Sequence, residues 1–189
     1  MKAFLKTILS GVFLVLCLPL ALLSGFGRLE GMYLLWAQAC ALIPGLPGDY
    51  FRIAYYRLTL KSCGQGSRIQ FGSFFAHPQV SLGSGVYIGS YCVFGRTSIG
   101  NRTQIASGVQ ILSGARQHER DEAGKILGAE LGEFLTVNLG ADCWIGAGAI
   151  VMADVGAGTT IGAGSIVTRP IPARCVAVGN PARVLTPEA

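Results

Sequence analysis

The sequence predicts an all-β solenoid of six-residue repeats preceded by an N-terminal helical membrane segment. Three observations carry that reading. An apolar residue recurs every six positions from Leu82 onward, the 189 residues include 27 glycines, about twice average usage, and no charge interrupts the run from Thr7 to Gly27. A period of six is neither the 3.6 of a helix nor the alternation of a half-buried strand, so a repeat architecture is required.

At the N-terminus, Lys2 and Lys6 precede TILSGVFLVLCLPLALLSGFG, which at 1.5 Å per residue is about long enough to cross a hydrocarbon core. No A-x-A-like site follows, which argues against a removable signal peptide. A second apolar stretch, Met32 to Leu46, is too short to span comfortably and breaks at Pro44, Gly45, Pro47 and Gly48. Such a stretch suits a re-entrant or interfacial helix. Lys2 and Lys6 flank one outer end and Arg52, Arg57, Lys61 and Arg68 the other, with only Arg28 and Glu30 between. The positive-inside tendency then places both ends, and the domain that follows, in the cytoplasm on an inner membrane. The expected organisation is a membrane-associated helical segment over 1–50 (hairpin or re-entrant), an amphipathic linker over 51–68 and the solenoid over 69–176. An extruded loop at 112–136 interrupts the solenoid, and a C-terminal tail covers 177–189.

Hydrophobic residues make up 51% of the chain and charged ones 13%, a balance that fits a protein with a lipid-embedded part. The net charge of +5 gathers near the apolar segment and the C-terminus, without a Lys/Arg run interleaved with aromatics. Anionic lipid head groups explain it better than nucleic acid. The six cysteines show neither CxxC pairing nor histidines at metal spacing. They read as reduced, small apolar fillers, and no metal or metal cofactor is expected.

The repeat itself reads LGSGVY, IGSYCV, FGRTS, IGNRTQ, IASGVQ and ILSGAR from residue 82, then LGADCW, IGAGAI and VMADVG from residue 139, and IGAGSI from residue 161. The first residue of each hexad is expected to point into a narrow core, the glycine or alanine after it to allow the turn between faces, and the fifth to be small because the core tapers. Cys92, Thr103, Cys143, Ala149 and Ser165 obey the last rule. Stacked coils bury a continuous aliphatic column, each touching only its neighbours. Two slips break the period: Phe94 to Ile99 advances five residues, and after Val155 the chain reaches Ile161 early, each expected to tighten a corner.

This motif, repeated along residues 80–167, resembles the hexapeptide-repeat acyltransferases of the galactoside, maltose and colanic-acid O-acetyltransferase type. The resemblance implies a left-handed parallel β-helix, acyl-CoA, most simply acetyl-CoA, as co-substrate, and a homotrimer with sites between subunits. The surroundings of His118, ARQHERDEAG, resemble the loop in which the family's histidine is general base. An alcohol must lose its proton as it attacks a thioester, and imidazole is poised for that near neutral pH. Glu119, Asp121, Glu122 and backbone carbonyls are all candidate acceptors for the other ring nitrogen, and the sequence does not rank them.

The stretch WIGAGAIV…TIGAGSIVTRPIPARCVAVGNPARVL resembles the CoA-binding end of the same family. By that resemblance Ala147 and Ala163 line the pantetheine arm, the Ala147 N–H steadies the oxyanion, and Trp144 walls the thioester. Thr168, Arg169 and Arg183 meet the lower pantetheine and the phosphates. His77, in FFAHPQV, reads as structural. Ser113 lacks a nucleophile's context and no GxSxG or GxxxxGK occurs, so direct transfer in a ternary complex is expected. Two histidines in all fall short of the three that a γ-carbonic-anhydrase-like site needs. The apolar segment favours a membrane-linked glycan or lipid-linked sugar of polysaccharide biosynthesis as acceptor. N-acyl transfer to an amino sugar, a longer acyl donor and a non-catalytic scaffold are the competing readings.

Overall fold

The computed structural model describes residues 2–114, 121–127 and 134–187, with side chains between 6 and 185. Three helices come first: α1 (Lys2–Leu23), α2 (Glu30–Ala41) and α3 (Gly45–Thr59), with a 3₁₀ turn at Gly25–Gly27 after α1. The chain then winds into coils of three short strands. The first coil holds β1 (Ser62–Cys63), β2 (Arg68–Ile69) and β3 (Phe74–Phe75); the second β4 (Ser81–Leu82), β5 (Tyr87–Ile88) and β6 (Val93–Phe94). The third holds β7 (Thr97–Ile99), β8 (Gln104–Ile105) and β9 (Gln110–Ile111); the fourth β10 (Val137–Leu139), β11 (Trp144–Ile145) and β12 (Ile150–Val151). Above them lie β13 (Thr160–Ile161), β14 (Ile166–Val167), β15 (Cys175–Val178) and β16 (Arg183–Pro187).

Strands one coil apart pair in parallel, giving three flat faces: β1-β4-β7-β10, β2-β5-β8-β11-β13-β15, and β3-β6-β9-β12-β14. Val155 and Ile171 extend the first face through bridges to Leu139 and to each other. Inside, the hexad-first residues form columns: Leu82, Ile99 and Leu139; Ile69, Ile88, Ile105, Ile145 and Ile161; Phe75, Phe94, Ile111, Val151 and Val167. All are buried. Each such side chain removed from water contributes about 1.5–3 kcal/mol.

Gly146 shows why the second hexad position is so small: a Cβ there would strike the backbone nitrogen of Ala163 in the next coil. Two residues on, Gly148 has φ +68°, a turn conformation costly for a side chain. The small fifth position does more than relieve crowding. Ser73 Oγ donates to the Gly89 carbonyl at 2.6 Å and accepts from Cys92 N–H at 2.9 Å. Thr103 does the same with Gly140 and Cys143, at 2.7 and 3.2 Å. These hydroxyls therefore stitch coil to coil. Burial pushes the Cys92 and Cys143 thiols above their ordinary range, as inert fillers require.

The base of the solenoid differs from the expected linker. Over 51–68 the chain completes α3 and starts the first coil, because Arg52, Tyr55, Tyr56 and Thr59 recur at helical spacing and are all buried. The sheet edge of the first coil needs partners, and the helices supply them. Arg52 Nε donates to the Ile69 carbonyl (2.8 Å), the Tyr33 hydroxyl donates to the Phe75 carbonyl (3.1 Å), and the Tyr56 hydroxyl accepts from Phe75 N–H (3.2 Å). The stretch expected as re-entrant, Met32 to Leu46, is thus largely part of this cap: α2 buries Tyr33, Ala37, Cys40 and Ala41. It leaves Leu35, Leu42 and Leu46 exposed. Against α3 lies α1, with Phe13 stacked on Tyr50 (5.2 Å) and edge-on to Phe51 (4.9 Å). Lys6–Leu23 is long and apolar enough to cross a membrane.

Two further expectations shift. Residues expected as a tail form the end of β15 and all of β16, which runs antiparallel along β15 and closes the upper edge of the second face. The coil expected to shorten after Val155 shortens before it, between β12 and the Val155 bridge.

Candidate active site

Three corners run up the solenoid, and each predicted site residue that the structure describes falls on one of them or on a face. The corner between the second and third faces stacks Ser107, Ala147 and Ala163: Gly148 N–H donates to the Ser107 carbonyl (3.0 Å) and Gly164 N–H to the Ala147 carbonyl (2.8 Å). Ala147 and Ala163 are exposed, and their own N–H groups make no hydrogen bond among the described residues. They stack in regular register because the shortened step lies at a different corner. Arg183, exposed at the start of β16, adjoins this alanine corner through Ala182, whose N–H donates to the Ile166 carbonyl (2.8 Å).

The corner between the third and first faces holds the other half. In order from the helical cap it carries His77, Arg96, the departure and return of loop 112–136, Asp154, and finally Thr168 and Arg169, both exposed. Coils rise about 4.8 Å each, so Arg96 lies one coil on the cap side of the loop. The shortened steps 94–99, 151–155 and 167–171 all belong to this loop corner. Within one protomer the predicted donor residues are therefore divided: Ala147, Ala163 and Arg183 on one corner, Thr168 and Arg169 on another. Trp144 lies on neither. It projects from the middle of the second face, 60% exposed, in a ladder between Gln104 and Thr160.

His118 and Glu119 lie outside the described residues; the base of their loop does not. Ser113, only 2% exposed, accepts from Arg96 N–H through Oγ (2.8 Å), and its carbonyl accepts from Leu135 N–H (3.0 Å). That geometry gives Ser113 an anchoring role at the base of the loop. Asp121, an alternative partner for the base, instead closes a local turn by accepting from Lys125 N–H (2.8 Å). Next coil up, Asp154 Oδ1 accepts from Asn138 N–H (2.8 Å), which fixes the loop's return.

His77 and Arg96 form a cluster that residue-by-residue reading did not join. The Phe134 ring, at the end of the loop, lies 5.9 Å from the His77 ring and 5.6 Å from Arg96 Cζ. Burial, then the Arg96 charge, lowers the His77 pKa from its ordinary value, with Glu30 opposing. Their sequence separation of one coil is the signal that could have paired them, together with the shortened step in which Arg96 sits. No group of three or more His, Cys, Asp or Glu suited to a metal occurs among the described residues.

No family model and no curated protein matches the chain. Solved structures do share its fold. The hexapeptide-repeat-containing acetyltransferase VCA0836 of Vibrio cholerae superposes with a TM-score of 0.71 at 19% identity, over 88% of this chain and 93% of that one. A maltose O-acetyltransferase from Clostridium difficile 630 gives 0.62 at 22%, over 86% and 89%. An N-acyltransferase, AntD from Bacillus cereus, in complex with dTDP-4-amino-4,6-dideoxyglucose and coenzyme A, gives 0.55 at 18%, over 69% and 85%. The chain thus has the left-handed parallel β-helix of hexapeptide-repeat acyltransferases.

Proposed function

We propose that the protein is an acyl-CoA-dependent O-acyltransferase, with acetyl-CoA as the simplest donor and a sugar hydroxyl of a membrane-linked glycan or polysaccharide precursor as acceptor. The observation that carries this is the pair of complementary half-sites. An exposed corner of small residues, whose Ala147 and Ala163 N–H groups are unpaired among the described residues, suits a pantetheine arm, and the loop that carries His118 in sequence departs from and returns to another corner of the same solenoid. In a homotrimer the alanine corner of one protomer would meet the loop corner of the next, uniting Ala147, Ala163 and Arg183 with Thr168 and Arg169.

In that pocket His118 takes the acceptor hydroxyl's proton while the oxygen attacks the thioester carbonyl. Glu119 holds the imidazole, and the Ala147 N–H receives the developing oxyanion. The C–S bond then breaks, the ester forms, and His118 returns the proton to the departing CoA sulfur. Trp144, on an exposed face, suits a contact between subunits better than a wall of the thioester. With α1 in an inner membrane, the solenoid stands in the cytoplasm where acyl-CoA is available.

The test is CoA-thiol release by the full chain in detergent, given acetyl-CoA and a lipid-linked saccharide. His118→Asn should lower turnover by roughly 10²–10⁴ with the melting temperature unchanged; near-normal turnover would remove the reading. N-acyl transfer to an amino sugar is the second reading, favoured by the likeness to AntD with its bound amino sugar nucleotide. Transfer to a 4-amino sugar but not to hydroxyl acceptors would select it.

A further inference from the structure

Arg96 occupies an unusual setting. Its backbone is pinned on both sides: its N–H donates to Ser113 Oγ (2.8 Å) and its carbonyl accepts from Val137 N–H (3.0 Å). Its guanidinium lies over the Phe134 ring, which orients the plane. Yet Nε is buried with no hydrogen-bond partner among the described residues, and no carboxylate among them forms an ion pair with Arg96. A buried donor without an acceptor costs stability and calls for an explanation. His77 flanks the same ring from the coil below, and the Tyr33 hydroxyl of α2 is 3.4 Å from its carbonyl. Glu30, the nearest acid on the cap, accepts from Gln79 Nε2 (3.1 Å).

We infer that Arg96, with His77, binds a phosphate group of the acceptor and so positions the acceptor's sugar at the loop corner. This rests on the acyl-transfer reading for the identity of the loop as catalytic. A fixed guanidinium presents paired N–H donors that match phosphate oxygens, and the imidazole adds a donor beside it. Place along the solenoid explains why phosphate is the fitting anion. The cluster lies between the helical cap and the loop, one coil or about 5 Å from the loop base. A sugar joined to a carrier through phosphate would thus lay its phosphate on the cap side and its hydroxyls toward the loop. The carrier could be a polyprenyl chain or a nucleotide, since both present the same phosphate chemistry.

The experiment is calorimetric titration of the full chain in nanodiscs, saturated with CoA so that the donor's phosphates are already seated, with inorganic pyrophosphate, geranyl diphosphate and dTDP. The wild type should bind at least one of them, and Arg96→Gln should weaken that binding by roughly tenfold or more, the loss of charge-assisted hydrogen bonds. Arg96→Lys keeps the charge without the fork and should fall between. His77→Gln should give a smaller loss. Preference for geranyl diphosphate supports the site with a lipid carrier, and preference for dTDP supports it with a nucleotide carrier.

No binding by the wild type, or displacement of the probe by CoA, would overturn the proposal. So would equal affinity in the folded Gln variant, or in the Lys variant should the Gln variant not fold. An Arg96 that merely pairs with a loop carboxylate would show as a lower melting temperature with binding unchanged. Binding is read without turnover, so a chain that transfers no acyl group leaves this test intact. Conversely, full CoA release with unaltered acceptor KM in Arg96→Gln would sink the phosphate site and leave acyl transfer standing.

Discussion

His77 and its surroundings translate directly into a pH dependence. In the unfolded chain its imidazole takes a proton near pH 6.5, whereas in the fold burial and the Arg96 charge delay that uptake to lower pH. Between the two values the unfolded chain binds more protons, so stability is full above about pH 6.5 and declines as pH falls through that window. His77→Gln should flatten this decline. Melting temperatures from pH 7.5 to 5.5 would check it, and equal slopes for wild type and variant would show that His77 is not held neutral.

At the scale of elements, the junction of helices and solenoid turns on Arg52. Its side chain is fully buried and serves three elements: Nε on the β2 edge at Ile69, Nη1 on the Cys40, Ala41 and Ile43 carbonyls at and just past the end of α2 (3.1, 3.3 and 2.8 Å), and Nη2 on Asp49 of α3 (2.7 Å). Asp49 in turn accepts from Arg68 Nε (2.7 Å). Arg52→Ala would strip the Ile69 and Ile43 carbonyls and half of the Asp49 carboxylate of this buried donor, and should cost about 3–5 kcal/mol. Urea unfolding measures it; a loss under about 1 kcal/mol would mean that the cap is held by apolar packing alone. Arg52→Lys should recover only part, because one ammonium cannot reach all five acceptors.

Arg52 also marks where the sequence stops being readable by pattern. The hexads announced their faces because each solves its problem locally: an inward aliphatic residue, a close-approach glycine, a small stitching residue. Ala147 and Ala163 are pointed to by resemblance, and it is the stacking of regular coils that sets them on one corner. In α3, by contrast, Arg52, Tyr55 and Tyr56 look like residues for a bilayer interface until the raw edge of the first coil is in view. The partnership of Arg96, His77 and Phe134 is likewise set by stacking across coils and the return of a loop, neither of which a linear pattern encodes. The division of Ala163 and Arg169 between corners was hidden for a related reason, since neighbours in sequence turn away from each other every sixth residue.

For the whole molecule, the cap sets where the candidate-site corners stand relative to the apolar α1. The inner side of α1 is occupied by α3, through Phe13 and the buried Cys17 and Ala21; its outer side presents Val15 (65% exposed) and Leu22 (62%) within a run free of charge. If lipid covers that side, as the proposed function requires, aspartates there meet hydrocarbon, at roughly 2.5–3.5 kcal/mol each near the centre of a span. On the folded protein alone they meet only helix propensity, up to about 0.7 kcal/mol each. The double variant Val15→Asp, Leu22→Asp should therefore leave the membrane fraction for the soluble one while melting within a few degrees of the wild type in detergent. The control is Ala21→Asp, which faces α3 and should lower the melting temperature instead. A double variant that still sediments with membranes after an alkaline wash would show that α1 covers protein, and the acceptor would then have to be sought among soluble sugars.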